Sequence, residues 1–68
     1  MHFCIETERE EDGRWIAEIA DLPGVLAYGD TEDEAKANAY ALALRVIADD
    51  VEKSKSVPKS ISVHCATA

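Results

Sequence analysis

The sequence predicts a small α+β domain of two layers, with elements in the order β-β-β-α-β. Three observations support this fold class: three short alternating or apolar segments separated by glycine turns, one long alanine-rich segment, and a short apolar segment after Pro58. The chain has 68 residues, and we predict one domain over residues 1–68. A domain of this size buries only about 60% of its unfolded surface, so self-association commonly adds stability.

The first two strands are predicted from side chains that alternate with a period of two, over residues 2–10 and 14–20. Asp12 and Gly13 between them are typical of a hairpin, because glycine tolerates positive φ. The predicted inner face comprises Phe3, Ile5, Thr7, Trp15, Ala17 and Ile19. The predicted outer face comprises His2, Cys4, Glu6, Glu8, Ile16, Glu18 and Ala20.

The rest of the chain predicts a third strand, a helix and a fourth strand. Pro23 and Gly24 make a turn before residues 25–29, the third strand of an antiparallel meander. Thr31 and Glu34 predict a capping box at the start of a helix that runs from about Glu32 to Asp50. Residues 61–65 form the fourth strand, with Ile61, Val63 and Cys65 on one face. A right-handed crossover lets this strand lie beside and parallel to the first.

The predicted helix is apolar over more of its circumference than packing on a sheet requires. The stripe expected on the sheet comprises Ala35, Ala39, Leu42, Ala43 and Val46, and a second arc comprises Tyr40, Leu44, Ile47 and Val51. Together they cover about half of the circumference, whereas a surface helix needs a stripe of about 100°. The second arc either packs under residues 52–60 and the last strand, or contacts another subunit. On the second interpretation, the oligomer interface contains Tyr40, Leu44 and Ile47.

The charge of the chain disfavours nucleic-acid binding. Fourteen acidic and seven basic residues give a net charge of −7 at pH 7, whereas proteins that contact a phosphate backbone usually carry a basic patch. An acidic surface suits docking against a basic protein. No apolar run approaches the roughly 18 residues of a membrane span, and residues 1–10 lack a signal-peptide pattern, so we expect a cytoplasmic location.

No catalytic machinery is predicted, so we expect a protein that is not an enzyme and uses no cofactor. His2 and His64 are too few and too near the chain ends to supply a base for nucleophilic catalysis. The acidic pairs lie in a turn, at a helix end and in a first helical turn, where solvation or capping explains them. Each of the three glycines belongs to a turn, and none forms a phosphate-binding loop.

No metal site is predicted either. Four possible zinc ligands, His2, Cys4, His64 and Cys65, lie on the first and last strands. The alternation sends Cys65 inward but His2 and Cys4 outward, so the four side chains cannot converge. In a reducing compartment, we expect both cysteines to be small apolar fillers rather than a disulfide.

Several of these segments together resemble the HicB-like antitoxin family, in its short, solitary form. The resemblance covers about residues 3–50 and includes the acidic Asp-Gly hairpin, WIAEIADLPG at 15–24 and GDTEDEAKANA at 29–39. The motif residues are Leu22, Pro23, Gly24, Gly29, Thr31, Glu34 and Ala35. They suggest structural roles, so no catalytic residue is transferred.

The resemblance implies a partial ribonuclease H-like fold, also likened to double-stranded-RNA-binding domains. It implies an acidic antitoxin, dimeric or tetrameric, that blocks a basic HicA-type mRNA-cleaving toxin. Full-length members often add a C-terminal DNA-binding segment, which residues up to Ala68 do not include, so DNA binding is not expected. We expect Glu6, Glu8 and Glu18 to bind the toxin. An RNA-binding or regulatory module is the alternative, argued from the likeness of fold alone.

Overall fold

The computed structural model describes residues 2–22, 24–57 and 62–66, with side chains for residues 3–22 and 24–57. The elements are β1 (His2–Arg9), β2 (Trp15–Ile19), β3 (Leu26–Gly29), α1 (Glu32–Ser54) and β4 (Ser62–Ala66). The predicted α+β class is confirmed: three antiparallel strands and one helix form the body of the domain.

The strands of the described part of the chain form one sheet in the order β3-β2-β1-β4. The pairs β1–β2 and β2–β3 are antiparallel, and β4 runs parallel to β1, with His64 beside Cys4 in the backbone register. Inner positions oppose inner positions, as in the pair Ile5–Ile19. The prediction that Ile61, Val63 and Cys65 share a face concerns side chains outside the described residues.

Two glycine turns connect the antiparallel strands, as predicted. Glu10 N–H donates to the carbonyl of Arg14 at 2.7 Å, and Gly13, with φ of 92°, donates back to the carbonyl of Glu10 at 3.0 Å. In the second turn, Gly24 has φ of 81°, and Val25 N–H donates to the carbonyl of Leu22 at 3.1 Å. Both glycines have a positive φ, which residues with a Cβ rarely adopt.

The core lies between the sheet and α1. Its buried side chains are Phe3, Ile5, Ala17, Ile19, Val25, Ala35, Ala39, Ala43 and Ile47. The half-buried side chains that pack against them include Trp15, Leu22, Leu42, Val46 and Val51. The inner face predicted for β1 and β2 is therefore confirmed.

Ile47 lies in this core with only 4% of its surface exposed, so the prediction that it shares an exposed arc with Tyr40 and Leu44 is wrong. It continues the four-residue spacing of Ala35, Ala39 and Ala43. Because four residues turn the helix by 400°, this line drifts about 40° at each step and winds around α1. A helix that crosses a twisted sheet keeps such a drifting line in contact with it.

The start of α1 has the predicted cap, with one difference. Glu34 N–H donates to Thr31 Oγ1 at 3.1 Å, but the Glu34 carboxylate accepts from the N–H of Asp30, one residue earlier than a capping box requires, at 3.3 Å. Its Oε1 oxygen thus anchors the incoming turn. Thr7 Oγ1 also donates to Glu32 at 2.7 Å, which joins β1 to the first helical turn.

The predicted end of the helix at Asp50 is wrong by four residues. The last turn continues to Ser54, where Lys53 forms an ion pair of 3.1 Å with Asp49. Lys55 ends the helix in the left-handed conformation, and its N–H donates to the carbonyl of Val51 at 2.8 Å. Polar side chains in an exposed last turn point to solvent, so polarity by itself did not mark the terminus.

Two close contacts hold β3 against α1. A Cβ added to Gly29 would lie 2.4 Å from the backbone nitrogen of Ala35. Asn38 Nδ2 donates to the carbonyl of Tyr28 at 2.9 Å. The helix therefore begins in direct backbone contact with the strand that precedes it.

We predict that Gly29→Ala lowers the free energy of unfolding by about 3 kcal/mol, because the methyl group meets backbone that cannot move aside. Gly24→Ala is the matched control. Nothing lies within 4 Å of its added Cβ, so only the positive φ should cost stability, about 1 kcal/mol. Urea denaturation measures both, and equal losses would contradict the close contact.

We predict that Ile47→Ala costs about 3 kcal/mol of unfolding free energy, because the residue is buried and leaves a cavity. Leu44→Ala, at an exposed position of the same helix, should cost about 0.5 kcal/mol in dilute protein. Thermal and urea denaturation followed by circular dichroism compare the two. A larger loss of unfolding free energy for Leu44→Ala than for Ile47→Ala would contradict the placement of Ile47 in the core and Leu44 on the surface.

Candidate protein-interaction surface

The face of the sheet that points away from α1 carries both charged and apolar side chains. We call it the outer sheet face. Its described side chains are Cys4, Glu6 and Glu8 from β1, Ile16 and Glu18 from β2, and Leu26 and Tyr28 from β3. They stand outward because successive strand residues alternate between faces, and the inward set is in the core.

The strand register arranges this face in two rows. One row runs from Glu6 through Glu18 to Leu26, and the next runs from Glu8 through Ile16 to Tyr28. Leu26 and Tyr28 are 40% and 44% exposed. The face is thus acidic over β1 and apolar over β3, with one residue of each kind on β2.

Glu6 and Glu18 oppose each other directly across β1 and β2. Cβ atoms of opposed residues in such a pair lie about 4.5–5.5 Å apart, and like charges at that separation destabilise the sheet. Within the described residues, no ion pair or hydrogen bond engages the carboxylate of Glu6, Glu8 or Glu18. Their negative charge is therefore available to a partner.

Arg14, the residue before β2, makes its contacts at the edge of this face. Its Nε donates to Asp12 at 2.7 Å, and its guanidinium lies 4.8 Å from the ring centre of Tyr28. Hydrogen bonds from the backbone N–H and side chain of Arg14 lower the pKa of Asp12, and the same carboxylate raises the pKa of Arg14. The Arg14 charge is thus directed at the hairpin turn and at the Tyr28 ring.

A shallow groove of about 250 Å³ follows the centre of the outer sheet face. It is lined by Glu6, Thr7, Glu8, Ile16, Glu18 and Leu26. The three carboxylates predicted to bind a partner therefore line one groove together with two apolar side chains. Such a groove can hold a cationic side chain with its methylene groups on Ile16 and Leu26.

A second exposed surface lies on α1. We call it the outer helix face, and its residues are Ala37, Tyr40, Ala41, Leu44 and Ala48, all of which are exposed. Tyr40 and Leu44 are 42% and 43% exposed. Two of the three residues predicted for an oligomer interface therefore lie together on the surface, whereas Ile47 does not.

Sequence reasoning missed Leu26 and Tyr28. The face on which they lie is set by the β2–β3 register, because a shift of one residue would turn both side chains inward. The connection between the two strands determines that register. Cys4 corrects another expectation: it is exposed and is not a buried filler, because the alternation of β1 places it with Glu6 and Glu8. The side chains of His2, His64 and Cys65 lie outside the described part.

The described residues contain no group of three or more His, Cys, Asp or Glu side chains placed to hold a metal ion. Over the same residues, α1 is not apolar enough along its length to cross a bilayer. Comparison of the chain with protein-family models, with curated proteins and with solved structures finds no match. The resemblance to the HicB-like family stays a prediction.

We predict that Glu18→Lys raises the free energy of unfolding by about 0.5–1 kcal/mol, because it replaces a repulsive cross-strand pair with an attractive one. Glu11→Lys in the exposed turn makes the same change in net charge and is the control. Urea denaturation of both variants at low salt separates the effect of the Glu6–Glu18 pair from the effect of net charge. Equal stabilisation by the two variants would show that Glu6 and Glu18 do not interact.

Proposed function

We propose that this chain is a non-catalytic, antitoxin-like protein of a HicA/HicB-type toxin–antitoxin system, which neutralises a basic mRNA-cleaving toxin by direct binding. The observation that supports this most is the outer sheet face. It holds three exposed carboxylates without partners in the described residues, beside the apolar side chains of Leu26 and Tyr28.

The mixture of charge and apolar surface favours a basic protein over other partners. Unpaired carboxylates attract a cationic protein and fix its orientation during encounter. Exposed aromatic and aliphatic side chains such as Tyr28 and Leu26 supply the desolvated centre that a protein interface needs. A bound cation would also relieve the repulsion between Glu6 and Glu18, so the cost of placing them together would be offset in the complex.

The residues of the family resemblance support the proposal in a different way. Gly24 adopts positive φ, Gly29 touches the helix backbone, Thr31 caps α1 and Ala35 is buried. These four motif residues thus have structural roles in this chain, which leaves the acidic face free to differ according to the partner.

The proposal also covers the detailed fold, the oligomeric state and the location in the cell. They are a partial ribonuclease H-like arrangement with Ser62–Ala66 as its fourth strand, a homo-oligomer, and a cytoplasmic location. The exposed Tyr40 and Leu44 support the homo-oligomer, since exposed apolar side chains that adjoin one another commonly mark an interface.

We predict that Glu6→Lys/Glu18→Lys weakens binding of a HicA-type toxin encoded beside the gene of this chain by about 100-fold, because the two substitutions replace attraction with repulsion. Calorimetry with the purified toxin measures the affinity, and rescue of growth on co-expression measures neutralisation.

The matched control is Glu11→Lys/Glu52→Lys, which makes the same change in charge at exposed positions away from the outer sheet face. Equal weakening by both double variants, or no binding by the unchanged chain, would contradict the proposal. Binding of labelled double-stranded RNA that weakens with salt would favour the RNA-binding alternative instead.

A further inference from the structure

We propose that the outer helix face binds the same face of a second copy of this chain, with the two helices antiparallel and Leu44 at the centre. This inference rests on the self-association included in the proposed function, and it specifies the surface, the orientation and the register. It is independent of toxin binding, which uses the opposite side of the two-layer domain.

The geometry of α1 places charges of opposite sign at the two ends of the outer helix face. At 100° per residue, Asp33 and the Cα atom of Lys55, the first residue after the helix, both lie within about 20° of the direction of Leu44. The left-handed φ of Lys55 changes the direction of its Cβ, but its long side chain still starts from this line. Asp33 lies in the first helical turn, and Lys55 is the capping residue just after the last turn. The line between them passes through the exposed apolar residues Ala37, Tyr40, Leu44 and Ala48.

Charge complementarity selects the antiparallel orientation. A two-fold axis through Leu44 places residue 33 of one copy opposite residue 55 of the other, because the two positions are equidistant from residue 44. The dimer then contains two Asp33–Lys55 pairs, one at each end. A parallel pair would instead place Asp33 against Asp33 and Lys55 against Lys55.

The same two-fold axis also brings apolar residues of complementary size together between Asp33 and Lys55. Tyr40 lies opposite Ala48 of the second copy, so each large ring meets a small side chain. Leu44 meets Leu44, and Ala37 meets the half-buried Val51. Small residues opposite large ones allow two helices to approach closely and interdigitate.

The groups that this dimer requires are available in the described structure. Asp33 and Lys55 are exposed, and neither forms an ion pair with another described residue. Glu34 and Glu52 lie about 80° to one side of the Leu44 line, where their long side chains reach solvent. A single helix pair is smaller than the interface of about 1,600 Å² typical of stable complexes, so we expect a weak dimer.

The test exchanges the two charges. Asp33→Lys and Lys55→Asp are made singly and together in the full chain, and the dissociation constant of the dimer is measured by sedimentation equilibrium from about 10 µM to about 1 mM. Each single change should weaken the dimer by about tenfold, since both end pairs become repulsive. The double change should restore the affinity of the unchanged chain to within about twofold, because both end pairs become attractive again.

Changes in the stability of the monomer cannot imitate this pattern, because they do not recover in the double variant. Both substitutions place the wrong charge at a helix end, so the double variant should be the least stable monomer although it regains the dimer. Glu11→Lys is the control for net charge and should leave the dimer unchanged. Circular dichroism verifies that every variant is folded.

A monomer throughout the concentration range would overturn the inference. So would a dimer whose dissociation constant is unaffected by the single charge changes. A double variant whose loss of dimer affinity equals the combined losses of the two single variants would also overturn it. In each of these cases toxin binding by the outer sheet face would still be measurable, because Asp33 and Lys55 lie on the helix and not on that face.

Discussion

The close approach of α1 to the sheet is the constraint on which the rest of the structure depends. Ala35, Ala39 and Ala43 are fully buried, and Gly29 touches the backbone of the first helical turn. Small side chains on the contact side leave little volume between the layers, so the core is thin. Leu44 points away from this contact side and is left on the surface of the molecule.

The alternation of side chains along β1 and β2 likewise determines which residues are exposed on the outer sheet face. Once Ile5 and Ile19 enter the core, the pleat must direct Glu6 and Glu18 outward and opposite each other. This placement lowers stability in the isolated chain, and the apolar packing of the inner face has to compensate for it. Both exposed surfaces of the domain therefore follow from how its single thin core is built.

Local sequence signals predicted much of this fold, because they depend on neighbouring residues. Alternation located β1 and β2, and Thr31 located the start of the helix. Ile47 and the helix end were missed for physical reasons. The burial of Ile47 depends on how the helix crosses the twisted sheet, and the end depends on the left-handed Lys55. The outward facing of Leu26 and Tyr28 depends on the register of a turn that residue types alone do not determine.

The hydrogen bond from Asn38 to the carbonyl of Tyr28 also affects how copies of this chain can meet. β3 lies at the border of the sheet, where an unoccupied main-chain acceptor could recruit a further strand. The Asn38 amide already occupies that acceptor. A further strand that paired at Tyr28 would have to compete with this amide, so growth of the sheet from one molecule to the next is disfavoured at that point.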